Sequence, residues 1–304
     1  MYVQSNTHFH LFLFKVEDDA FEGLQSLEYL DISDNKVLSL PAAALGRLPQ
    51  LKRLKADYNR IGALSYDILR SVKGLEELSL AYNIIREIPK GTFKDLNNLK
   101  ILNMYGNQIA VVDQDTFAGA ESNLEYLDLG FNIIKSIATD LSLPNLKYLN
   151  LAKNNLSNIE GAFNLLSSLN SLVLKENAID NVTPFTFTGL NNLISIDLSQ
   201  NLIRSVLPEV FSNNYLNEVN VSGNLLKELE QDTFVNLPIL EVLDLSHNNL
   251  NTINNGAFNA IPRLKKGNTF YLVVTKLSTM SLALSMQAKP YLPYNSKPLG
   301  MHSR

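Results

Sequence analysis

The chain has 304 residues, 45% of them hydrophobic and 18% charged, which places it among core-forming chains and away from disorder. A net charge of −4 argues against a surface built to neutralise phosphates, so nucleic acid is not an expected partner. The absence of cysteine excludes a disulfide framework and any thiolate-ligated metal site.

Taken in chain order, residues 1–15 form an irregular flank. The apolar run at 10–14 is too short for a signal-peptide core and lacks a basic leader or a small-residue cleavage site. Residues 16–24, VEDDAFEGL, match the second half of a repeat whose first half is missing, with Leu11 where an Asn belongs. The pattern L-x-x-L-x-L-x-x-N-x-L then occurs ten times in unbroken succession, starting at Leu27, Leu51, Leu75, Leu99, Leu124, Leu146, Leu169, Leu193, Leu216 and Leu240. Such self-similarity overrides the two-domain prior that length alone would give, because stacked repeats make one elongated unit.

Within each repeat, the apolar residues at positions four and six alternate with the period of a strand that buries one face. One short parallel strand per repeat is expected. Position nine is Asn every time: Asn35, Asn59, Asn83, Asn107, Asn132, Asn154, Asn177, Asn201, Asn224 and Asn248. An amide is donor and acceptor at once, so stacked Asn residues can satisfy backbone groups where each coil leaves the sheet. Phe93, Phe117, Phe163, Phe187, Phe211, Phe234 and Phe258 recur once per coil in the second half, as a stacked apolar spine and not a cofactor box. No 18-residue apolar stretch occurs, so no membrane span is expected.

The array ends at Leu264, after which Gly267, Thr269 and Leu272 fall where Leu, Leu and Asn belong. Residues 265–304 form an irregular tail. Neither end offers a recognisable cap, and an internal piece of a longer array, or a truncated form of one, is expected.

The full pattern over residues 16–264 resembles the 24-residue class of leucine-rich repeats of animal extracellular and cell-surface proteins. Its Asn- and Ile-rich, cysteine-free composition is most similar to chaoptin-like insect adhesion proteins. The resemblance implies an α/β horseshoe solenoid with a parallel concave sheet and a convex side of irregular or short helical segments. Function is then expected on the outward strand positions two, three, five, seven and eight, a strip on the order of 45 Å long at strand spacings near 4.8 Å.

Exposed aromatic side chains are enriched at binding hot spots. Tyr105, Tyr126, Phe131 and Tyr148, with Asn103, Asp128 and Asn150 between them, are therefore the candidate contact patch. Asn155, Asn181 and Asn220 head N-x-S/T sequons, and a glycan on Asn220 would obstruct the concave face and push binding toward repeats three to seven. No phosphate loop, zinc-binding HExxH or nucleophile elbow is present, so neither an enzyme nor a cofactor or metal is expected. His8, His10 and His302 lie in the flanks and His247 in the last repeat. The expected partner is a protein, a facing copy of the chain included, in extracellular adhesion or receptor recognition. Membrane association would come only through parts absent from this chain. The alternative, an intracellular scaffold or regulatory subunit, draws on the missing cysteines and address signal.

Overall fold

The computed structural model describes residues 13–212, 215–258, 261–263 and 270–271. His8, His10, His302 and the tail after residue 271 lie outside them. Among the described residues, no helix is long and apolar enough to cross a membrane.

Each repeat contributes one three-residue strand: Tyr29–Asp31, Arg53–Lys55, Glu77–Ser79, Ile101–Asn103, Tyr126–Asp128, Tyr148–Asn150, Ser171–Val173, Ser195–Asp197, Glu218–Asn220 and Val242–Asp244. They form one parallel sheet in chain order, with every fourth-position apolar residue opposite the next, as in Leu54↔Leu78 and Leu102↔Leu127. An eleventh strand, Phe270–Tyr271, continues the sheet beyond residue 264. It pairs Leu243 with Phe270, which puts Phe270 in the fourth position. That register lies three residues later than the one counted from Leu264, so the local sequence carries an insertion between coils. At the other end, the Leu13 amide donates to Asn35 Oδ1 and its carbonyl accepts from Lys36, as Val37 does with Asn59 and Arg60 in the next coil. Coil geometry therefore already holds at residue 13.

The asparagines join the coils. Asn59 is representative: Nδ2 donates to the carbonyls of Ala56 and Asp57 in its own coil and of Ile32 in the coil before, while Oδ1 accepts from the Val37 amide. The same four bonds recur at Asn83, Asn107, Asn132, Asn154, Asn177, Asn201, Asn224 and Asn248. At each rung one amide occupies backbone groups that have no water to turn to.

On the convex side two one-turn helices, Ala42–Leu45 and Tyr66–Leu69, serve the first two coils. Later coils use turns and the aromatic spine. Phe93 stacks on Phe117 with ring centroids 6.2 Å apart, and Phe187, Phe211, Phe234 and Phe258 form a second run at 5.9–6.2 Å. Phe163 is fully buried, but the shorter coil before it carries Leu141 in the core instead of a ring, which divides the spine.

Position eight has a constraint that the repeat pattern does not display. All ten residues there have positive φ, between 51° and 71°: Asp34, Tyr58, Tyr82, Gly106, Phe131, Lys153, Glu176, Gln200, Gly223 and His247. The chain turns out of the strand through the left-handed region so that the following Asn can point inward.

Replacing Asn132 with Ala strands the Ile109 amide and removes one of two donors from each of the Met104 and Leu129 carbonyls, which keep Asn107 and Asn154. The expected loss is on the order of 2–4 kcal/mol in urea unfolding, with faster amide exchange at Ile109 than at amides in distant coils.

Candidate binding surface

The concave face is made of rows, each formed by one repeat position taken down the stack. In the second row Glu28, Lys52, Glu76, Lys100, Glu125 and Lys147 alternate in sign. Lys52 meets Glu28 at 2.8 Å and Lys147 meets Glu125 at 2.6 Å, so this edge neutralises itself.

The fifth row is committed to the backbone. Asp31, Asn103, Asp128, Asn150, Asp197, Asn220 and Asp244 each accept, through Oδ1, the amide two residues on, at 2.8–3.1 Å. This caps the strand end as an Asx turn does. Where repeat three has Ser79 in this row, Asp57 of the coil before accepts both the Ser79 hydroxyl and the Ala81 amide. Asp128 is buried, and also accepts from Asn150 Nδ2 at 3.0 Å and from the Tyr126 hydroxyl at 3.5 Å. Burial pushes its carboxyl above the ordinary range against the lowering effect of those donors. Asp57, Asp197 and Glu218 are raised for the same reason.

The candidate aromatic residues fall into two groups. Tyr126 and Tyr148, in the third row, stack face to face with centroids 4.5 Å apart and planes 5° from parallel. Both are half-buried. Desolvation, and then the Asp128 charge, holds the Tyr126 hydroxyl well above the usual tyrosine range and pushes Tyr148 up to about 12. Tyr105 and Phe131 sit apart from this pair, 5.9 Å from each other, at the C-terminal ends of the strands. There they continue a file that sequence reasoning left out: Tyr58 stacks on Tyr82 at 4.5 Å, and Tyr82 lies 5.4 Å from Tyr105. Two glycines make room for it. A Cβ on Gly106 would come within 2.9 Å of the Tyr82 ring, and one on Gly130 within 2.8 Å of both Tyr105 and the Asn150 amide. Asp128 and Asn150 thus lie in the trough between the Tyr126–Tyr148 pair and the rim file, with their polar groups turned to each other and to the backbone. Asn103 is half-buried in the same row.

Of the sequon residues, Asn155 and Asn181 are exposed at the side of the coil, whereas Asn220 is half-buried within its strand, its Oδ1 accepting both the amide and the hydroxyl of Ser222. Among the described residues, no group of three or more His, Asp and Glu side chains is arranged to hold a metal ion.

The family model for leucine rich repeats matches residues 10–61, 73–134, 122–179, 167–216 and 214–266. The chain belongs to the leucine-rich repeat family. It is similar to podocan-like protein 1 of Mus musculus, 33% identical over 243 residues and 77% of this chain, and to Toll-like receptor 3 of Boselaphus tragocamelus, 29% identical over 232 residues and 71% of this chain. The chain spans 42% and 21% of the length of those two relatives. Among solved structures, TLR13 in complex with ssRNA13 superposes with a TM-score of 0.67 at 26% identity, over 84% of this chain and 41% of that one. The α/β solenoid with a parallel sheet that the resemblance implied is the fold of this chain.

Two outcomes follow from the site's physics. The raised Asp128 pKa means that, between the unfolded carboxylate value of 3.8 and the higher folded one, the folded chain holds a proton that the unfolded chain has released. Its contribution to stability therefore falls as pH rises through that window and stays unfavourable above it. Asp128→Asn, which copies the rungs at Asn103 and Asn150, is expected to raise the thermal midpoint at pH 7, with the gain vanishing below about pH 4. Calorimetry at the two pH values checks this. At Phe131, φ is 51°. Both truncations remove the ring, but only Ala keeps a Cβ in the left-handed region, so Phe131→Gly should be more stable than Phe131→Ala by about 0.5–1 kcal/mol.

Proposed function

We propose that this chain is the recognition segment of a cell-surface or extracellular protein, acting in adhesion or receptor recognition by binding a protein partner without catalysis. The carrying observation is the aromatic surface of coils 2–6. Tyr58, Tyr82, Tyr105 and Phe131 on the rim and Tyr126 and Tyr148 on the sheet present large rings beside rows whose polar groups are already satisfied. Rigid aromatic side chains bring contact area at low entropic cost, and this composition is that of a protein-binding hot spot. The candidate patch of Tyr105, Tyr126, Phe131 and Tyr148 lies at its centre, with Asn103, Asp128 and Asn150 holding the strand ends beneath.

Similarity to a protein named as a receptor supports the extracellular setting. The exposed Asn155 and Asn181 sequons accord with it. TLR13 binds ssRNA13. Tyr58 with Tyr82, and Tyr126 with Tyr148, take up one face of each ring by stacking on each other, which reduces the platform open to bases and favours a protein as ligand.

Beads coated with the secreted chain test this reading, both for aggregation with one another and for binding to cells. Wild-type beads are expected to do one or the other, and Tyr126→Ala with Tyr148→Ala to reduce it by about ten-fold, while Tyr126→Phe with Tyr148→Phe, which keeps the stack, retains it. Equal binding by the folded Ala variant would remove the patch from the interface. Failure of the wild type to bind any protein would overturn the reading as a whole.

A further inference from the structure

The rim of coils 1–6 differs from the rest of the molecule in both polarity and charge. Beyond the strand, the chain alternates inward at positions nine and eleven with outward at positions eight, ten and twelve. The inward residues Val37, Ile61, Ile85, Ile109 and Ile134 are all buried. The outward ones form the lateral rim. Next to the aromatic file, Ile84 and Ile133 stand exposed at 44% and 48%, with Phe131 at 52% and Tyr58 at 53%. Gly62 lies beside Ile84, where a Cβ would touch its Cδ1 at 3.7 Å, and with Gln108 between Ile84 and Ile133 the apolar surface runs from coil to coil through the aromatic file.

Around this apolar strip the same three rows carry Lys36, Arg60, Arg86, Lys135 and Lys153, against Asp34 as the one acid. This is the reverse of the chain's overall charge of −4. The Lys153 ammonium lies over the Phe131 ring at 5.8 Å and 3.8 Å from Glu176, and Arg86 Nε donates to Gln108. Arg60 and Lys135 are exposed, and no ion pair within the described fold engages them.

We propose that this lateral rim, centred on Tyr82, Ile84, Phe131 and Ile133 and framed by Arg60 and Lys135, docks an acidic segment of a protein partner that also carries apolar side chains. Charge complementarity requires the acids. The apolar strip between the cations requires side chains that can cover it, which a sulfated glycan or a nucleic acid backbone does not supply. Tyr105 and Phe131 belong to both the rim file and the candidate patch, so one partner can contact both. The proposal rests on the protein-recognition reading above and adds the chemistry of the partner.

The test uses the whole secreted chain and four fluorescent or competing probes: a synthetic peptide alternating Glu with Leu and Phe, the same peptide with every Glu replaced by Gln, heparin, and a poly(U) RNA. The acidic peptide is expected to bind, the Gln peptide about ten-fold more weakly, and Arg60→Glu with Lys135→Glu to weaken the acidic peptide by about ten-fold or more while leaving the thermal midpoint unchanged. Ile84→Ser with Ile133→Ser should weaken it similarly. Heparin or RNA that outcompetes the peptide and is indifferent to the Ile84 and Ile133 changes would make the rim a polyanion site and overturn the proposal. So would equal binding of the two peptides. If bead binding survives Arg60→Glu with Lys135→Glu but is lost with Tyr126→Ala and Tyr148→Ala, the rim proposal falls and the recognition reading stands.

Discussion

The structure depends on how the backbone is satisfied where each coil leaves the sheet. A parallel strand of three residues provides few ladder bonds, and the corner that follows leaves carbonyls and amides pointing into a dry interior. One Asn per coil answers this with three donations and one acceptance, spread over its own coil and the one before. Because its side chain must point inward at that spot, the residue before it is forced through the left-handed region and its side chain is thrown outward onto the rim. The rung therefore fixes both the coil spacing and the direction of the eighth row. A surface that binds can vary from coil to coil only because the rung beneath it does not.

The same logic separates structural polar groups from available ones. Asp128 and Asn150 look, by their place between aromatic residues, like ligand contacts. Their oxygens instead accept the amides of Gly130 and Ala152, and the two side chains bond to each other. An amide serves this capping position as well as a carboxylate does, as Asn103, Asn150 and Asn220 show. A carboxylate there bears the desolvation of a charge without a buried cation beside it, which is why the carboxyls of Asp128 and Asp197 are pushed upward.

Much of this was legible in the sequence because it repeats. The Asn column, the Leu alternation and most of the Phe spine are single residue types at one period, and each maps to one physical task. The left-handed eighth row is not marked by residue type, since Tyr, Phe, Lys, Glu, Gln and His occupy it as well as Gly and Asp. Tyr58 and Tyr82 stand in that row exactly one coil apart in structure and could have been found by following the row of Phe131 backward. Tyr126 and Tyr148, chosen together with Tyr105 and Phe131 as outward-facing aromatic residues, are half-buried against each other. The eleventh strand was hidden for a different reason. Three inserted residues moved Phe270 out of the counted register, and pairing with Leu243 restored it.

Non-Gly residues in left-handed backbone cost on the order of 1 kcal/mol each, and more for bulky side chains. Glycine would serve the fold at every eighth position, as it does at Gly106 and Gly223. The chain nevertheless places Tyr58, Tyr82 and Phe131 there, and then adds Gly106 and Gly130 where the neighbouring rings need clearance. Local stability alone does not select that combination. Rings exposed at 39–53%, held at strained positions, with glycines cleared beneath them, are what results when an array gives up a little coil stability for an apolar rim. In coils 6–8 the same row carries Lys153, Glu176 and Gln200, with Lys153 and Glu176 3.8 Å apart, and neither the rings nor the clearing glycines are present. The contrast between the two halves of one uniform scaffold is the ground for proposing the recognition surface in the first.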